Sequence, residues 1–188
     1  MNVFSILNAA LFLQLQSVIK IGCDYLKSNL NITNCVSIRR FSDEQSLNDL
    51  KDIGFKYILD NFEQIALNED LLNELTVNEI SELFESEYLN VSSEEIVYET
   101  LMKWINLNKE KRTESLANLL TNVKLPLLKS SYLTKQIETN KLLSINISCQ
   151  SLILEAVTYH LNPDKFTSYP IERTNPRKST VKNQHLKL

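Results

Sequence analysis

The sequence predicts an all-α fold, an array of short antiparallel helical hairpins, and three observations support this. The 188 residues include only two glycines, whereas sheet-rich folds need turn glycines at short intervals. Apolar residues recur every three or four positions, and Ser, Thr and Asn stand before several of these runs. With 43% hydrophobic residues, the chain can bury one sizeable core or two small ones.

The first thirty residues are predicted to be helical. One apolar stripe recurs at spacings of four, three, four and four residues: Leu11, Leu15, Val18, Gly22 and Leu26. This pattern is typical of a single helix or of a closely packed helix pair. Residues 31–34 interrupt it, and either Thr33 or Asn34 can cap the helix that follows.

The next two helices are predicted from apolar faces on either side of a polar break at Ser42 and Asp43. The first face carries Cys35, Ile38 and Phe41. The second face consists of Leu47, Leu50, Gly54, Ile58 and Phe62, with Gly54 as a close-packing position.

Two capping boxes predict helix starts in the middle of the chain, Thr76-x-x-Glu79 and Ser92-x-x-Glu95. In such a box the hydroxyl and the carboxylate each accept a hydrogen bond from a free N–H of the first turn. An amphipathic helix with an inward-facing tryptophan follows the second box, marked by Val97, Leu101, Trp104, Ile105 and Asn108.

Three further helices are predicted at 114–123, 131–138 and 148–160. The first buries Leu116, Leu119, Leu120 and Val123, and the last aligns Leu152, Ala156 and Tyr159. Pro163 and Pro170 are expected to close the folded region. Short loops between about nine short helices favour antiparallel packing of neighbours.

The composition indicates a reducing, cytoplasmic environment. Cys23, Cys35 and Cys149 form no CxxC pair and lie among apolar neighbours, which favours buried, inert thiols over sensor thiols. The apolar run at 4–15 is short and is interrupted by Asn8 and Gln14, so we expect no signal peptide and no membrane span.

Charge is distributed unevenly. No Lys or Arg occurs between Tyr57 and Met102, where the acidic residues are Asp60, Glu63, Glu69, Asp70, Glu74, Glu79, Glu82, Glu85, Glu87, Glu94, Glu95 and Glu99. Such a segment repels nucleic acid and would attract a basic partner, or it forms solvated helix faces with acids near helix N-termini. The basic segment after Ile171, with Arg173, Arg177, Lys178, Lys182 and Lys187, is expected to be a flexible linker.

The sequence gives no constellation for catalysis, and we expect no enzyme activity, cofactor or metal. His160 and His185 are the only histidines, which leaves little for a zinc site or a triad, and His160 suits a helix C-terminus. Glu94 and Glu95 are adjacent on one helix and therefore point in different directions. No glycine-rich loop is present to hold phosphate.

The order of several landmarks resembles the kelch-like (BTB-BACK-kelch) family. They are Leu13-Gln14-Leu15, Asn34-Cys35, Tyr88-Leu89-Asn90-Val91 with Ser93-Glu94-Glu95, Trp104, Lys124-Leu125-Pro126, Tyr159-His160-Leu161 and Arg173-Thr174-x-Pro176-Arg177. The resemblance places the last helices of a BTB domain at 1–30 and a 3-box helix pair at 34–62. It places a BACK domain at 35–162 and a linker towards an absent kelch propeller at 163–188.

This resemblance implies a substrate-specific adaptor of a cullin-3 E3 ubiquitin ligase, with protein substrates bound by the full-length parent. It assigns a cullin-binding groove to Cys35, Ile38, Phe41, Leu47 and Leu50, although helical apolar residues are more often core. An actin-associated scaffold without a ligase role is the alternative. A homodimer is expected for the parent only, and this chain is expected to be monomeric or weakly associated through residues 3–15.

Overall fold

A computed structural model describes residues 3–162 and 172–178. The described residues form helices, turns and loops and contain no strand, so the all-α prediction is confirmed. The chain divides into two compact units, Met1–Ile65 and Ala66–Leu188, here called unit 1 and unit 2. None of the described helices is long and apolar enough to cross a membrane.

Unit 1 contains two helix pairs, α1 (Val3–Phe12) with α2 (Gln16–Ser28), and α3 (Cys35–Glu44) with α4 (Asn48–Asp60). Helix α5 (Phe62–Leu67) spans the boundary between the units. The core of unit 1 is formed by Leu7, Leu26, Ile38, Phe41 and Leu50. Gly54 is buried against the backbone of Arg39, as the close-packing prediction requires.

Both helix pairs of unit 1 are joined by the same turn, a Schellman motif built without glycine. Gln14 and Ser46 adopt left-handed backbone conformations, each with φ of 56°. The N–H of the following residue, Leu15 or Leu47, donates to the carbonyl of Ala10 or Ser42 respectively, both at 2.8 Å. The predicted break at Ser42 and Asp43 is therefore wrong: α3 continues to Glu44, and the buried Ser42 hydroxyl donates to Ile38 O at 2.6 Å.

Unit 2 contains eight α-helices within its described residues: α6 (Glu69–Glu74), α7 (Val77–Glu85), α8 (Glu94–Leu107), α9 (Lys109–Arg112), α10 (Leu116–Leu120), α11 (Ser130–Thr139), α12 (Lys141–Ile145) and α13 (Ile147–Leu161). Short 3-10 turns lie at Thr113–Ser115, Leu125–Leu127 and Glu172–Thr174. The described helices number more than the nine expected because α6, α9 and α12 lie in segments for which no helix was predicted. Pro163 and Pro170 lie outside the described residues.

Trp104 faces the interior of unit 2, as predicted. Its side chain is 1% exposed and its indole Nε1 donates to Leu75 O at 2.9 Å. The guanidinium of Arg112 stacks over the ring at 4.1 Å from its centroid. The predicted stripe of α10, with Leu116, Leu119 and Leu120, is also fully buried.

One of the two predicted capping boxes is confirmed. Thr76 accepts from the Glu79 N–H at 3.3 Å, while Glu79 Oε2 accepts from the Thr76 N–H at 2.8 Å. The second box is wrong by one residue, because α8 begins at Glu94 and its N-cap is Ser93, which makes no side-chain capping hydrogen bond to the backbone. Glu95 instead accepts from the backbone N–H of Lys129 at 3.0 Å.

Candidate functional site

The residues predicted to line a partner groove belong to the interior of unit 1. Cys35, Ile38, Phe41 and Leu50 are between 0% and 8% exposed, and only Leu47 is half-buried. The Phe41 ring lies 4.7 Å from that of Phe4 on α1, and the Cys35 thiol donates to Ile32 O at 3.3 Å. The structure therefore brings the five residues together. The four buried ones pack in the interior between α3 and the neighbouring helices of unit 1. Groove lining stays a prediction.

Unlike these buried residues, a set of apolar side chains on α1, α2 and the turn between them is exposed. We call it the α1–α2 surface, and its exposed residues are Phe12, Leu13, Leu15, Val18, Ile21 and Tyr25. The surface includes a shallow cavity of about 320 Å³, lined almost entirely by apolar side chains such as Ile6, Leu13 and Val18. Leu15 and Val18 belong to the predicted apolar stripe, whose members Gly22 and Leu26 are buried while these two are 48% and 36% exposed. Exposed apolar patches of this kind are typical of interaction sites.

In unit 2 the most extensive polar arrangement is centred on Arg177. Its guanidinium pairs with both carboxylate oxygens of Glu94, Nε with Oε2 at 3.0 Å and Nη2 with Oε1 at 2.8 Å. The side chains of this pair are 3% and 4% exposed. The remaining donors reach three carbonyl oxygens, Phe84 at 2.6 Å, Ser86 at 2.8 Å and Asn122 at 3.0 Å. A planar guanidinium is suited to such a fork of acceptors.

Lys124 joins the same network from the loop before the 3-10 turn at Leu125–Leu127. Its Nζ donates to Glu87 Oε1 at 2.8 Å and to Asn175 O at 2.7 Å, and its backbone N–H donates to Glu94 Oε1 at 2.9 Å. The N–H of Lys178 completes the arrangement by donating to Glu87 O at 2.7 Å. Glu94 is the first residue of α8, where the helix dipole favours a carboxylate.

These contacts correct the expectation of a flexible segment after Ile171, within the part that the structure describes. Arg173 pairs with Glu155 of α13 at 2.6 Å, and Arg177 is buried. Lys182 and Lys187 lie outside the described residues. Sequence reasoning named Arg177 but missed its pairing with Glu94, because the two residues are 83 positions apart, beyond any local period. The pairing could have been suspected from one observation. Residues 58–101 are acidic and contain no Lys or Arg, so their carboxylates need basic partners from elsewhere in the chain, such as Arg177.

Several carboxylates of residues 58–101, the segment without Lys or Arg, pair with basic side chains from elsewhere in the chain. Besides the Arg177 and Lys124 pairs, Lys103 lies 3.5 Å from Glu69. Glu94 and Glu95 do point in different directions, the first into the Arg177 network and the second towards Lys129. They therefore do not form a carboxylate pair for acid–base work.

The remaining candidate residues make no cluster. Burial raises the pKa of the thiols of Cys23, Cys35 and Cys149, which are all free, so each is a weaker nucleophile than an ordinary cysteine. His160 lies in the last turn of α13, and His185 is outside the described residues. Across residues 3–162 and 172–178, no group of three or more His, Cys, Asp or Glu side chains could hold a metal ion.

Across the residues that the structure describes, an all-helical fold combines a buried polar network with an exposed apolar surface, a feature typical of proteins that bind other proteins. Residues 35–138 match the model of the BACK family, "BTB And C-terminal Kelch", and the chain belongs to that family. It is 40% identical over 177 residues to Kelch-like protein 3 of Homo sapiens and of Bos taurus. It is 36% identical over 180 residues to Kelch-like protein 5 of Homo sapiens.

These alignments cover most of this chain and a minor part of each relative. They include 94% of the chain for the two Kelch-like 3 proteins and 96% for Kelch-like protein 5. They include only 30% and 24% of the relatives' own lengths. The chain therefore spans less than a third of the curated relatives it matches.

Proposed function

We propose that this chain is the helical part of a cytoplasmic adaptor for a cullin-3 E3 ubiquitin ligase, and that it has no catalytic role of its own. Membership of the BACK family carries this proposal. In this role the helices hold a substrate-binding part of the adaptor at a defined place relative to the cullin. Ubiquitination is then accelerated by proximity, because a substrate lysine held near the conjugating enzyme has a high effective concentration.

Within this proposal, unit 1 supplies the cullin-binding surface. Leu47 is the groove residue with exposed area, while Cys35, Ile38, Phe41 and Leu50 act from the core by fixing the positions of α3 and α4. Each buried residue contributes through packing, so its truncation would weaken binding only together with the stability of unit 1. Leu47 is partly buried and also packs against the core, so the free energy of unfolding of its variant is measured alongside binding to separate the two effects.

The test is binding of the purified chain, and of a longer protein that contains it, to the N-terminal region of cullin-3. An established cullin-3 adaptor serves as the positive control. We expect Leu47→Gln to weaken binding by about tenfold, equivalent to ~1.4 kcal/mol, at unchanged helicity. The matched control Leu67→Gln alters an apolar side chain of α5 that is 80% exposed, and it should bind as the parent does.

Failure of both proteins to bind, under conditions where the positive control binds, would reject the ligase proposal. Co-sedimentation of the longer protein with filamentous actin in that same case would favour the scaffold alternative. Binding that survives Leu47→Gln would remove Leu47 from the surface but leave the adaptor role in place.

A further inference from the structure

We propose that Arg177 is a positioning residue that locks residues 172–178 onto unit 2 as a strap and thereby fixes the direction of the backbone at Lys178. The strap is defined by these seven residues. The role of the strap in orienting a substrate-binding part of the adaptor rests on the proposed function. The lock itself is a property of unit 2 and can be tested without any partner.

The first argument is the convergence of otherwise separate loops on one guanidinium. The carbonyls of Phe84 and Ser86 come from the end of α7, and that of Asn122 from the loop after α10. Carbonyls at helix ends need donors, because the last turn of a helix leaves them without partners. Arg177 supplies donors to all three carbonyls from the strap, in addition to the Leu89 N–H that donates to Ser86 O at 3.2 Å, so removal of the strap would take one donor from each of three loop carbonyls.

The second argument is charge. Glu94 is nine-tenths buried and its carboxylate would be strongly destabilised without a cation. Arg177 neutralises it through two parallel hydrogen bonds, while Lys124 contributes only its backbone N–H to that carboxylate. The closed strap is thus favoured by the electrostatics of the α8 N-terminus, and a solvent-exposed Arg177 would leave a buried charge behind.

The third argument is that the strap is held along its whole described length. Arg173 pairs with Glu155 near one end, the Asn175 carbonyl accepts from Lys124 in the middle, and the Lys178 N–H donates to Glu87 at the other end. A chain with one contact can pivot about it. A chain with contacts at 173, 175, 177 and 178 has a fixed direction.

The experiment measures the hydrogen-exchange protection of the Lys178 amide in the full chain, with unfolding of unit 2 followed through Trp104 fluorescence. The double variant Arg177→Gln, Glu94→Gln removes both charges, so no buried charge is left unpaired. We expect it to stay folded and to lose protection at Lys178 by about 100-fold. Arg177→Lys keeps the charge but loses the fork, and we expect a loss of about tenfold.

The matched control is Lys135→Gln, which removes a positive charge from an exposed side chain of α11, outside the strap. It should retain wild-type protection after correction for intrinsic exchange rates. Protection within about threefold of wild type in both Arg177 variants would overturn the proposal, since that difference is below 1 kcal/mol. If the double variant does not fold, the protection of the Lys178 amide in Arg177→Lys alone tests the proposal.

Cullin binding of the same variants separates this inference from the proposed function. All strap contacts lie in unit 2, so we expect binding to the cullin to be unchanged when the strap opens. If the wild type does not bind the cullin but the Arg177 variants lose protection at the Lys178 amide, the adaptor role is rejected and the Arg177 lock is supported. Intact cullin binding with full strap protection in the variants would reject the lock alone.

Discussion

Gly22 of α2 lies directly against the side chain of Leu7 on α1. A Cβ atom at position 22 would come within 2.5 Å of Leu7 Cδ2 and 2.8 Å of its Cγ. Leu7 is fully buried and belongs to the core of unit 1, so it has little room to move. The close approach of α1 and α2 therefore depends on the absence of a side chain at this position.

We expect Gly22→Ala to destabilise unit 1 by about 1–3 kcal/mol, the usual cost of overpacking a core. At an exposed helical site the same change would stabilise the helix by roughly 0.5–1 kcal/mol, so the sign of the effect tests the contact. Urea unfolding followed by circular dichroism measures it. Ser17→Ala, at an exposed position of the same helix, is the control. A stabilising Gly22→Ala would contradict the contact.

Arg112 should stabilise unit 2 through the Trp104 ring and two carbonyls. It donates to Trp104 O and to Asn73 O, both at 2.8 Å, in addition to stacking on the indole. We expect Arg112→Gln to lower the free energy of unfolding by about 1–3 kcal/mol, because a cation–π contact and charged hydrogen bonds are lost. Trp104 fluorescence during denaturation measures the change. Lys111→Gln, exposed on the same short helix, should have little effect, and an equal loss there would refute a specific role.

The fold could be predicted from the sequence wherever local periodicity determined it. Leu116, Leu119, Leu120 and Trp104 were predicted to be buried and are, and the Thr76 box marks the start of α7. The end of α3 was not predicted, because Ser46 adopts the left-handed conformation for which glycine is the usual signal. A Schellman turn without glycine leaves no compositional mark.

The candidate sites could be predicted less well, since both depend on contacts between distant segments. The helical face of Cys35, Ile38 and Phe41 was identified from spacing, but spacing cannot tell a core face from a partner face. The Arg177–Glu94 pair joins a segment taken for a linker to the first turn of α8. Only the three-dimensional fold brings them together.

Acid stability should depend on Glu95. Partial burial raises the pKa of its carboxyl, but hydrogen bonds from the Lys129 N–H, its own N–H and Ser93, with the charge of Lys129, outweigh that effect and lower the pKa below its ordinary value of 4.5. A lowered folded-state pKa means that the ionised form stabilises the fold. This contribution is present above the unfolded-state pKa and is lost as pH falls through the folded-state value.

We therefore expect Glu95→Gln to reduce stability at neutral pH and to flatten its decline below about pH 4.5, the ordinary carboxyl value. Denaturant midpoints between neutral and acidic pH measure this. The control is Glu110→Gln, an exposed carboxylate of α9. The same acid dependence in Glu95→Gln as in the wild type would show that the Lys129 contact contributes nothing to stability.

The three thiols should differ in reactivity according to burial. Burial raises the pKa of each, and Cys35 and Cys149 are buried while Cys23 is partly accessible. We expect iodoacetamide at mildly alkaline pH to modify Cys23 first, with Cys35 and Cys149 modified only on unfolding, as mass spectrometry of the labelled peptides will show. Rapid labelling of Cys35 in the folded chain would indicate that the α3 face opens, and would contradict the packing described.

The α1–α2 surface should set the association state of the isolated chain. Leu13 and Ile21 are 61% and 69% exposed within an apolar patch, so we expect a monomer that associates weakly as concentration rises. Leu13→Asn should raise the dissociation constant by about tenfold, equivalent to ~1.4 kcal/mol, in sedimentation velocity over a concentration series. Leu154→Asn, which removes a leucine of α13 that is 66% exposed, is the matched control and should leave the constant unchanged. A tight dimer at all concentrations, or weak association equally reduced by both variants, would place the contact elsewhere.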